Sequence, residues 1–355
     1  MKIRITRANF ISALKDAVEV AESRSTLPIL QHVLLEANGA LRVSATDLEL
    51  SLVKEVDAET VECGSVCLPA RKLFLIVKEL EEGEIILEKQ NNDWVKLESG
   101  KSEYRLAGLS KEDFPLLEIA KNMQGNVFSN TLTTALAHVA YSCANDNNRA
   151  HLNGVYVGHE ELVATDGCRL ARVTVPGLSL PEETILPRKG VQAVKNLFEE
   201  QDLKWGKQNN HITFSGMKAL LSIRLIHGNY PDYKTIIEDL SGTSVFLSLT
   251  AFRSQLDFCK ALGAQDVKIK GKGNVLEITA KSHGEEGEIA GVIDTIEGSW
   301  DGEIGFQLHY LLEPLNRAKD DNTVELVLSP NRPCQIKINE DPSFLYVVMP
   351  TILRD

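Results

Sequence analysis

The chain states one pattern twice, and a third time more faintly, at a spacing near 118 residues. Ser44-Ala45-Thr46-Asp47-Leu48 returns as Val163-Ala164-Thr165-Asp166-Gly167, with the aspartates 166 − 47 = 119 positions apart. Leu68-Pro69-Ala70-Arg71-Lys72 returns as Leu186-Pro187-Arg188-Lys189, an offset of 187 − 69 = 118 between the prolines. Asp113-Phe114-Pro115 returns as Asn229-Tyr230-Pro231, an offset of 231 − 115 = 116. The third copy keeps the frame without the motifs. Leu276-Glu277-Ile278-Thr279-Ala280 falls where the aspartate motif is due, and Val348-Met349-Pro350 ends 350 − 231 = 119 positions past Pro231. Solenoid units run about 20–50 residues, so this period describes whole domains of one fold in tandem. The expected boundaries are 1–120, 121–240 and 241–355.

The length of 355 residues suits two or three domains, and 43% hydrophobic residues give each third enough to bury a core. No apolar run approaches the roughly 20 residues needed to cross a bilayer, so no membrane partner is expected. Lys2, Arg4 and Arg7 interleave with isoleucines, which reads as a strand and not as a signal peptide. Of the six cysteines only Cys63 and Cys67 are close, with neither a second pair nor a histidine at zinc spacing. Reduced thiols in a cytoplasmic protein, with no metal and no cofactor, are the expectation. The net charge of −12, taken alone, argues against nucleic acid, so the placement of charge matters.

Each third shows two helical segments among short strands. Phe10, Leu14, Ala17, Val18 and Ala21 make one apolar stripe of a helix over about 9–22. Pro69 is expected as the first-turn proline of a second helix carrying Leu73, Ile76, Val77 and Leu80. In the middle third Ser129 or Asn130 can cap a helix with Leu132, Leu136 and Val139, and Pro187 opens another with Val191, Val194 and Leu197. In the last third Thr250 is expected to cap a helix with Phe252, Leu256 and Cys259, and a final helix holds Leu311, Leu312 and Leu315. Elsewhere the pattern alternates, as in Lys2-Ile3-Arg4-Ile5 and Glu325-Leu326-Val327-Leu328, between turn signals such as Asn38-Gly39 and Gly273-Asn274. The fold class is therefore α+β, three tandem copies of a domain with two helices packed on antiparallel sheets.

Basic residues recur on the polar faces of these helices: Arg71, Lys72 and Lys78, then Arg188, Lys189 and Lys195. Acids cluster elsewhere, as at Asp57/Glu59/Glu62 and Glu297/Asp301/Glu303, although Glu79 and Glu199 keep the segregation partial. Any single cation of this kind is ordinarily a solvated one. Recurrence at equivalent places argues instead for a basic face on an acidic body, which would hold DNA by its phosphates without reading sequence.

At this point the residues carry a resemblance. Thr26-Leu27-Pro28-Ile29-Leu30, Ser44-Ala45-Thr46-Asp47-Leu48-Glu49, Leu152-Asn153-Gly154, Ala164-Thr165-Asp166-Gly167-Cys168-Arg169-Leu170, Gly228-Asn229-Tyr230-Pro231-Asp232-Tyr233 and Tyr346-Val347-Val348-Met349-Pro350 together resemble the bacterial DNA sliding clamp family, the beta subunit of DNA polymerase III. No one motif is specific; their order and spacing over the whole chain are.

The resemblance implies a head-to-tail dimeric ring of two copies that slides on double-stranded DNA, held by topology. It implies a bacterial, nucleoid-associated, non-catalytic processivity factor. Its partners would be the replicative polymerase, an ATP-dependent clamp loader and other repair and replication proteins. Arg24 matches a DNA-contacting position, with Arg71, Lys72, Asn148, Arg149, Arg188 and Lys189 as companions. A pocket for a partner peptide would comprise Leu152, Thr165, Gly167, Cys168, Arg169, Leu170, Pro231, Thr235, Ile236, Val347, Met349 and Thr351. The chain departs from the family pattern at Cys168, Thr235 and Thr351, where His, Arg and Met are usual. A dimer interface would join Glu103, Tyr104, Arg105 and Leu106 to Ala261 and Leu262 of the neighbouring copy.

Two rival readings remain open on sequence. The departures permit a specialised or inhibitor-resistant clamp paralogue. Asp47 and Asp166 could instead form the carboxylate pair of a metal-dependent enzyme. Against the latter, a Thr-Asp after a strand more often makes a turn, and no Gly-rich phosphate loop or catalytic signature is present.

Overall fold

The computed structural model describes residues 1–22, 25–146, 148–238, 240–282, 287–318, 322–330, 332–338 and 341–351; Arg24 lies outside them. Among the described residues the helices are α1 (Arg7–Val20), α2 (Ala70–Glu79), α3 (Ser129–Val139), α4 (Arg188–Leu197), α5 (Tyr233–Glu238), α6 (Leu249–Ala261) and α7 (Leu308–Leu315).

Local chemistry moves some helix starts from their expected places. α1 begins at Arg7, because the Thr6 hydroxyl caps it by accepting from the Asn9 amide at 3.4 Å, and it ends at Val20, with Ala21 already extended. Pro69 is not inside α2; it is the residue before it, at φ −60° and ψ 110°. Thr250 is inside α6, and Ser248 caps the helix by accepting from the Ala251 amide at 3.4 Å. In these cases a strand runs straight into the helix (Lys2–Thr6, Gly64–Pro69 and Thr243–Ser248), so the last strand residue becomes the cap.

Four antiparallel sheets carry the strands. The first has five strands in the order Glu59–Glu62, Lys2–Thr6, Glu84–Lys89, Trp94–Ser99, Ser102–Ala107. The second has eight: Gly125–Phe128, Asp202–Gln208, His211–Ser215, Ala219–Arg224, Leu50–Val56, Ala40–Thr46, His32–Asn38, Gly64–Pro69. The third also has eight: Thr184–Pro187, Gly154–Gly158, Glu161–Thr165, Arg169–Thr174, Phe344–Val348, Cys334–Ile338, Thr323–Leu328, Thr243–Ser248. The fourth has four: Glu288–Asp294, Val275–Lys281, Asp266–Lys272, Gly302–Gln307.

Each eight-stranded sheet takes four strands from one third of the chain and four from the next. The first seam pairs Leu50–Val56 with Ala219–Arg224, placing Leu52 opposite Leu221 and Ser51 opposite Ser222. The second pairs Arg169–Thr174 with Phe344–Val348, placing Leu170 opposite Val347 and Arg169 opposite Val348. The middle third thus gives half its strands to each neighbour. Accordingly the chain forms two compact units, Met1–Thr133 with Ser179–Pro181 and Lys189–Ile226, and Thr134–Leu178 with Glu182–Arg188 and His227–Asp355.

Helices cover the sheets and supply the cores. In the first unit Phe10, Leu14 and Ala17 of α1 and Leu73 and Val77 of α2 are fully buried, with α1 packed on the strands Ala40–Thr46 and Leu50–Val56. In the second, α6 buries Phe252, Leu256 and Cys259 against α7, which buries Leu311 and Leu315. At about 1.5–3 kcal/mol for each large apolar side chain removed from water, these faces dominate the folding energetics.

Candidate functional site

The recurring Thr-Asp builds the same turn twice. The Thr46 hydroxyl donates to the Leu50 carbonyl at 2.7 Å and accepts from the Leu48 amide at 3.0 Å. Thr165 does the same with Arg169 at 2.6 Å and Gly167 at 3.1 Å. Asp47 Oδ1 accepts from the amides of Glu49 and Leu50 at 2.9 and 2.6 Å, and Asp166 Oδ1 from those of Cys168 and Arg169 at 2.9 and 3.1 Å. The other oxygens are also engaged: Asp47 Oδ2 by the Lys189 ammonium, and Asp166 Oδ2 by Arg169 Nε at 2.9 Å. Both carboxylates therefore serve as turn-makers, each within its own unit, which removes the basis of the enzyme reading. Among the described residues no cluster of three or more His, Cys, Asp or Glu could hold a metal ion.

In the second unit, Leu170 and Val347 meet across the second seam in a buried cluster with Val163 and Tyr233, flanked by Tyr156, Tyr230, Ile237 and Leu240. Leu152 and Thr165 are buried as well. Around this floor Gly167, Cys168, Pro231, Thr235, Ile236 and Met349 are exposed, and Thr351 is half-buried. The Met349 amide donates to the Cys168 carbonyl at 2.8 Å, tying the chain after the seam strand to the turn. The result is an apolar surface with an adaptable Met, suited to the side chains of a short peptide.

Arg169 is not a free cation there. Only 8% exposed, it is held by Asp166, by Glu313 and by the Tyr141 carbonyl at 2.7 Å. Its guanidinium lies 4.4 Å from the Tyr310 ring centre and 5.6 Å from that of Tyr141. Tyr310, beside Arg169, is not among the residues expected from sequence. Its phenol is pushed up to about 12 by burial and then by the neighbouring Asp166 carboxylate, so it stays neutral. It sits 310 − 169 = 141 positions from Arg169 in a helix that reads as merely apolar, and no local signal marks it.

The basic helix residues separate. Arg71, Lys72, Lys78 and Arg188 are exposed and form no ion pair with a described residue. Lys189, also at the surface, is tied to Asp47. Asn148 and Arg149 are exposed on a loop fixed by Asp146, which accepts from the Asn148 amide at 2.8 Å and from Arg149 Nε at 2.9 Å. Arg149 lies against the turn of the apolar surface: a Cβ on Gly167 would stand 2.7 Å from its Nη1.

The two smaller sheets end in open strands. Glu103, Tyr104 and Arg105 are exposed along the edge strand Ser102–Ala107, and Leu106 is half-buried. Ala261 and Leu262 close α6, exposed and half-buried respectively. Phe258, Val292 and Ile296 are large exposed apolar residues of the same region that the sequence reading did not single out. Among the described residues no helix is long and apolar enough to cross a membrane.

Tandem domains joined by shared sheets, with exposed basic residues on their helices, define a protein of the DNA-clamp class. Models of the DNA polymerase III beta subunit match the chain throughout: the N-terminal domain at residues 1–118, the central domain at 126–232 and the C-terminal domain at 242–352. The beta sliding clamp of Escherichia coli K12 is 30% identical over 366 residues, covering 99% of either chain. That of Salmonella typhimurium is 30% identical over 367 residues with the same coverage. A sliding clamp from Bartonella birtlesii, solved bound to griselimycin, superposes with a TM-score of 0.93 at 28% identity, covering 99% of this chain and 100% of that one. The Caulobacter crescentus clamp gives 0.91 at 27%, with the same coverage. The chain belongs to the DNA polymerase III beta subunit family, the bacterial sliding clamps. It is a polymerase processivity factor, not an enzyme.

Proposed function

We propose that two copies of this chain close head to tail around duplex DNA and tether replication and repair proteins through the Met349 surface. The observation that carries the ring is the accounting of sheet edges. Both internal boundaries are spanned by eight-stranded sheets, whereas the first and last thirds keep sheets of five and four strands. In the repeat frame Ser102–Ala107 corresponds to the seam strands Ala219–Arg224 and Phe344–Val348. Glu288–Asp294 corresponds to Leu50–Val56 and Arg169–Thr174. Pairing those two open edges between copies would make a third seam, with Tyr104 and Leu106 meeting Val292, Phe258, Ala261 and Leu262. A head-to-tail contact that closes buries every such edge.

The three clamp domains would be residues 1–120, 121–240 and 241–355. Arg71, Lys72, Arg188, Asn148 and Arg24 would contact phosphates; Lys189 contributes less, being shared with Asp47. Retention would come from topology, so weak and exchangeable contacts suffice. Gly167, Cys168, Pro231, Thr235, Ile236, Met349 and Thr351 would receive the partner peptide over the floor of Leu152, Thr165, Leu170 and Val347, with Arg169 positioning Tyr310 as a wall. Partners would include the replicative polymerase and an ATP-dependent clamp loader, in the bacterial cytoplasm on the nucleoid.

The test is retention on DNA. The protein is loaded onto nicked circular DNA with a clamp loader and ATP, free protein is removed, and half the sample is linearised. Persistence on circles with loss from linear ends is expected. Equal, salt-governed loss from both would defeat the ring.

A further inference from the structure

The first seam holds a cavity of about 320 Å³ at the place that corresponds, in the repeat, to the partner surface of the second. Thr46 and Ser51 form its floor, their hydroxyls 2.9 Å apart, as Thr165 and Leu170 do in the other copy. Its walls carry Leu48, Leu116, Glu118, Asn209, His211 and Arg224. Several of these are arranged at some expense. Leu48 stands at φ +74°, a left-handed conformation that the second copy gives to Gly167 at +92°, yet its side chain remains 48% exposed. Leu116 is 97% exposed although its segment is fastened nearby, where the Ser222 hydroxyl donates to the Glu118 carbonyl and the Ala120 amide donates to Thr213 Oγ1 at 2.9 Å. His211 Nδ1 is buried without a hydrogen-bond partner among the described residues. Neither Arg224 nor Glu118 forms an ion pair with a described residue.

We infer that this cavity is a second peptide-binding site, selective for a short segment in which an acidic residue adjoins an apolar one. The apolar side chain would cover Leu48 and Leu116. The carboxylate would pair with Arg224, the one cation lining the cavity, and backbone N–H groups would donate to His211 Nδ1 and to the Glu118 carboxylate. Desolvation by burial holds the His211 imidazole below its ordinary range, so the ring is neutral at neutral pH and Nδ1 accepts in the tautomer protonated at Nε2. The two seams would then discriminate partners by chemistry: the second through apolar surface, the first through an added charge requirement.

The probe is acetyl-Leu-Glu-amide, titrated into the full chain carrying ¹³C-labelled histidine. His211 reports on the first seam and His309, next to Tyr310, on the second. A saturable shift of the His211 signal is expected, about tenfold weaker with acetyl-Leu-Gln-amide and in Arg224→Ala, as removal of one charge-assisted hydrogen bond should give. Leu116→Ser, at a fully solvated position, should weaken it as well without touching the fold. No shift at His211, a shift at His309 alone, or equal affinity for both dipeptides would overturn the proposal. None of these outcomes bears on retention on circular DNA, which is read separately.

Discussion

The two seams are built from the same backbone and finished differently. Both begin from a Thr-Asp turn, and both continue as an antiparallel pairing between neighbouring thirds. At the first, the position after the aspartate is Leu48, the seam pair is Ser51 with Ser222, and Gly190 of α4 packs against Ile223. Asp47 is locked to Lys189. At the second, the equivalent positions hold Gly167 and the pair Leu170 with Val347, and Tyr310 of α7 stands over Arg169. One junction became polar, with its turn aspartate paired to Lys189; the other became apolar, with the Tyr310 ring beside its arginine. A backbone frame can be inherited intact while the side chains set on it decide which chemistry the place presents.

The largest test of this contrast is Asp47→Ala against Asp166→Ala. Asp47 caps two amides and neutralises Lys189 with its side chain 3% exposed, so its loss should cost about 3 kcal/mol in denaturant unfolding. Arg169 keeps Glu313 and the Tyr141 carbonyl when Asp166 is removed, so roughly half that cost is expected. Equal losses would show the two turns to be energetically alike.

Next, Tyr310→Ala should lower the affinity of a fluorescent partner peptide about thirtyfold, as an aromatic wall of a binding site commonly does, with little change in unfolding midpoint. Unchanged affinity would remove Tyr310 from the site. A reciprocal exchange sharpens the point further. Gly167→Leu must bear a left-handed backbone and displace the Arg149 guanidinium, so about 1–2 kcal/mol of stability and most peptide binding should be lost. Leu48→Gly relieves the same strain but loosens the unfolded chain, so a net change under about 1 kcal/mol is expected.

The smallest effect concerns acid. Burial holds His211 at the first seam and His309 near the second below the ordinary imidazole value of 6.5. Above that value both folded and unfolded chains are neutral at these sites and stability is unaffected. Below it the unfolded chain takes up protons first, so stability declines until the lowered folded value is reached. Thermal melts should show this decline, blunted by His211→Asn; an identical slope in that variant would exclude His211 as a contributor.

Much of this was legible in the chain. The repeat gave three domains, the alternating runs gave strands, and Thr-Asp was readable as a turn because its hydrogen bonds close within four residues. What escaped was non-local or competitive. Ser248 and Thr250 are both good caps, and only the end of the preceding strand chooses between them. The pairing of Leu50–Val56 with Ala219–Arg224 joins segments far apart in sequence, and neither strand announces its partner. Lys189 reads from sequence as a DNA-facing cation, and its pairing with Asp47, 142 positions away, has no local signal. Arg169 is named from sequence as a pocket position, but its partners Glu313 and Tyr310 come from the last third of the chain, and nothing near Arg169 announces them.

The woven seams also bear on how such a gene can change. Removing the middle copy in frame would break the ladder of Leu50–Val56 with Ala219–Arg224 and require a new one with Phe344–Val348, whose side chains are fitted to a different partner. Motifs inside a copy are free to decay, as those of the third have. The number of copies is not: once neighbours share a ladder, drift can erase the lettering of a repeat but deletion cannot remove the page.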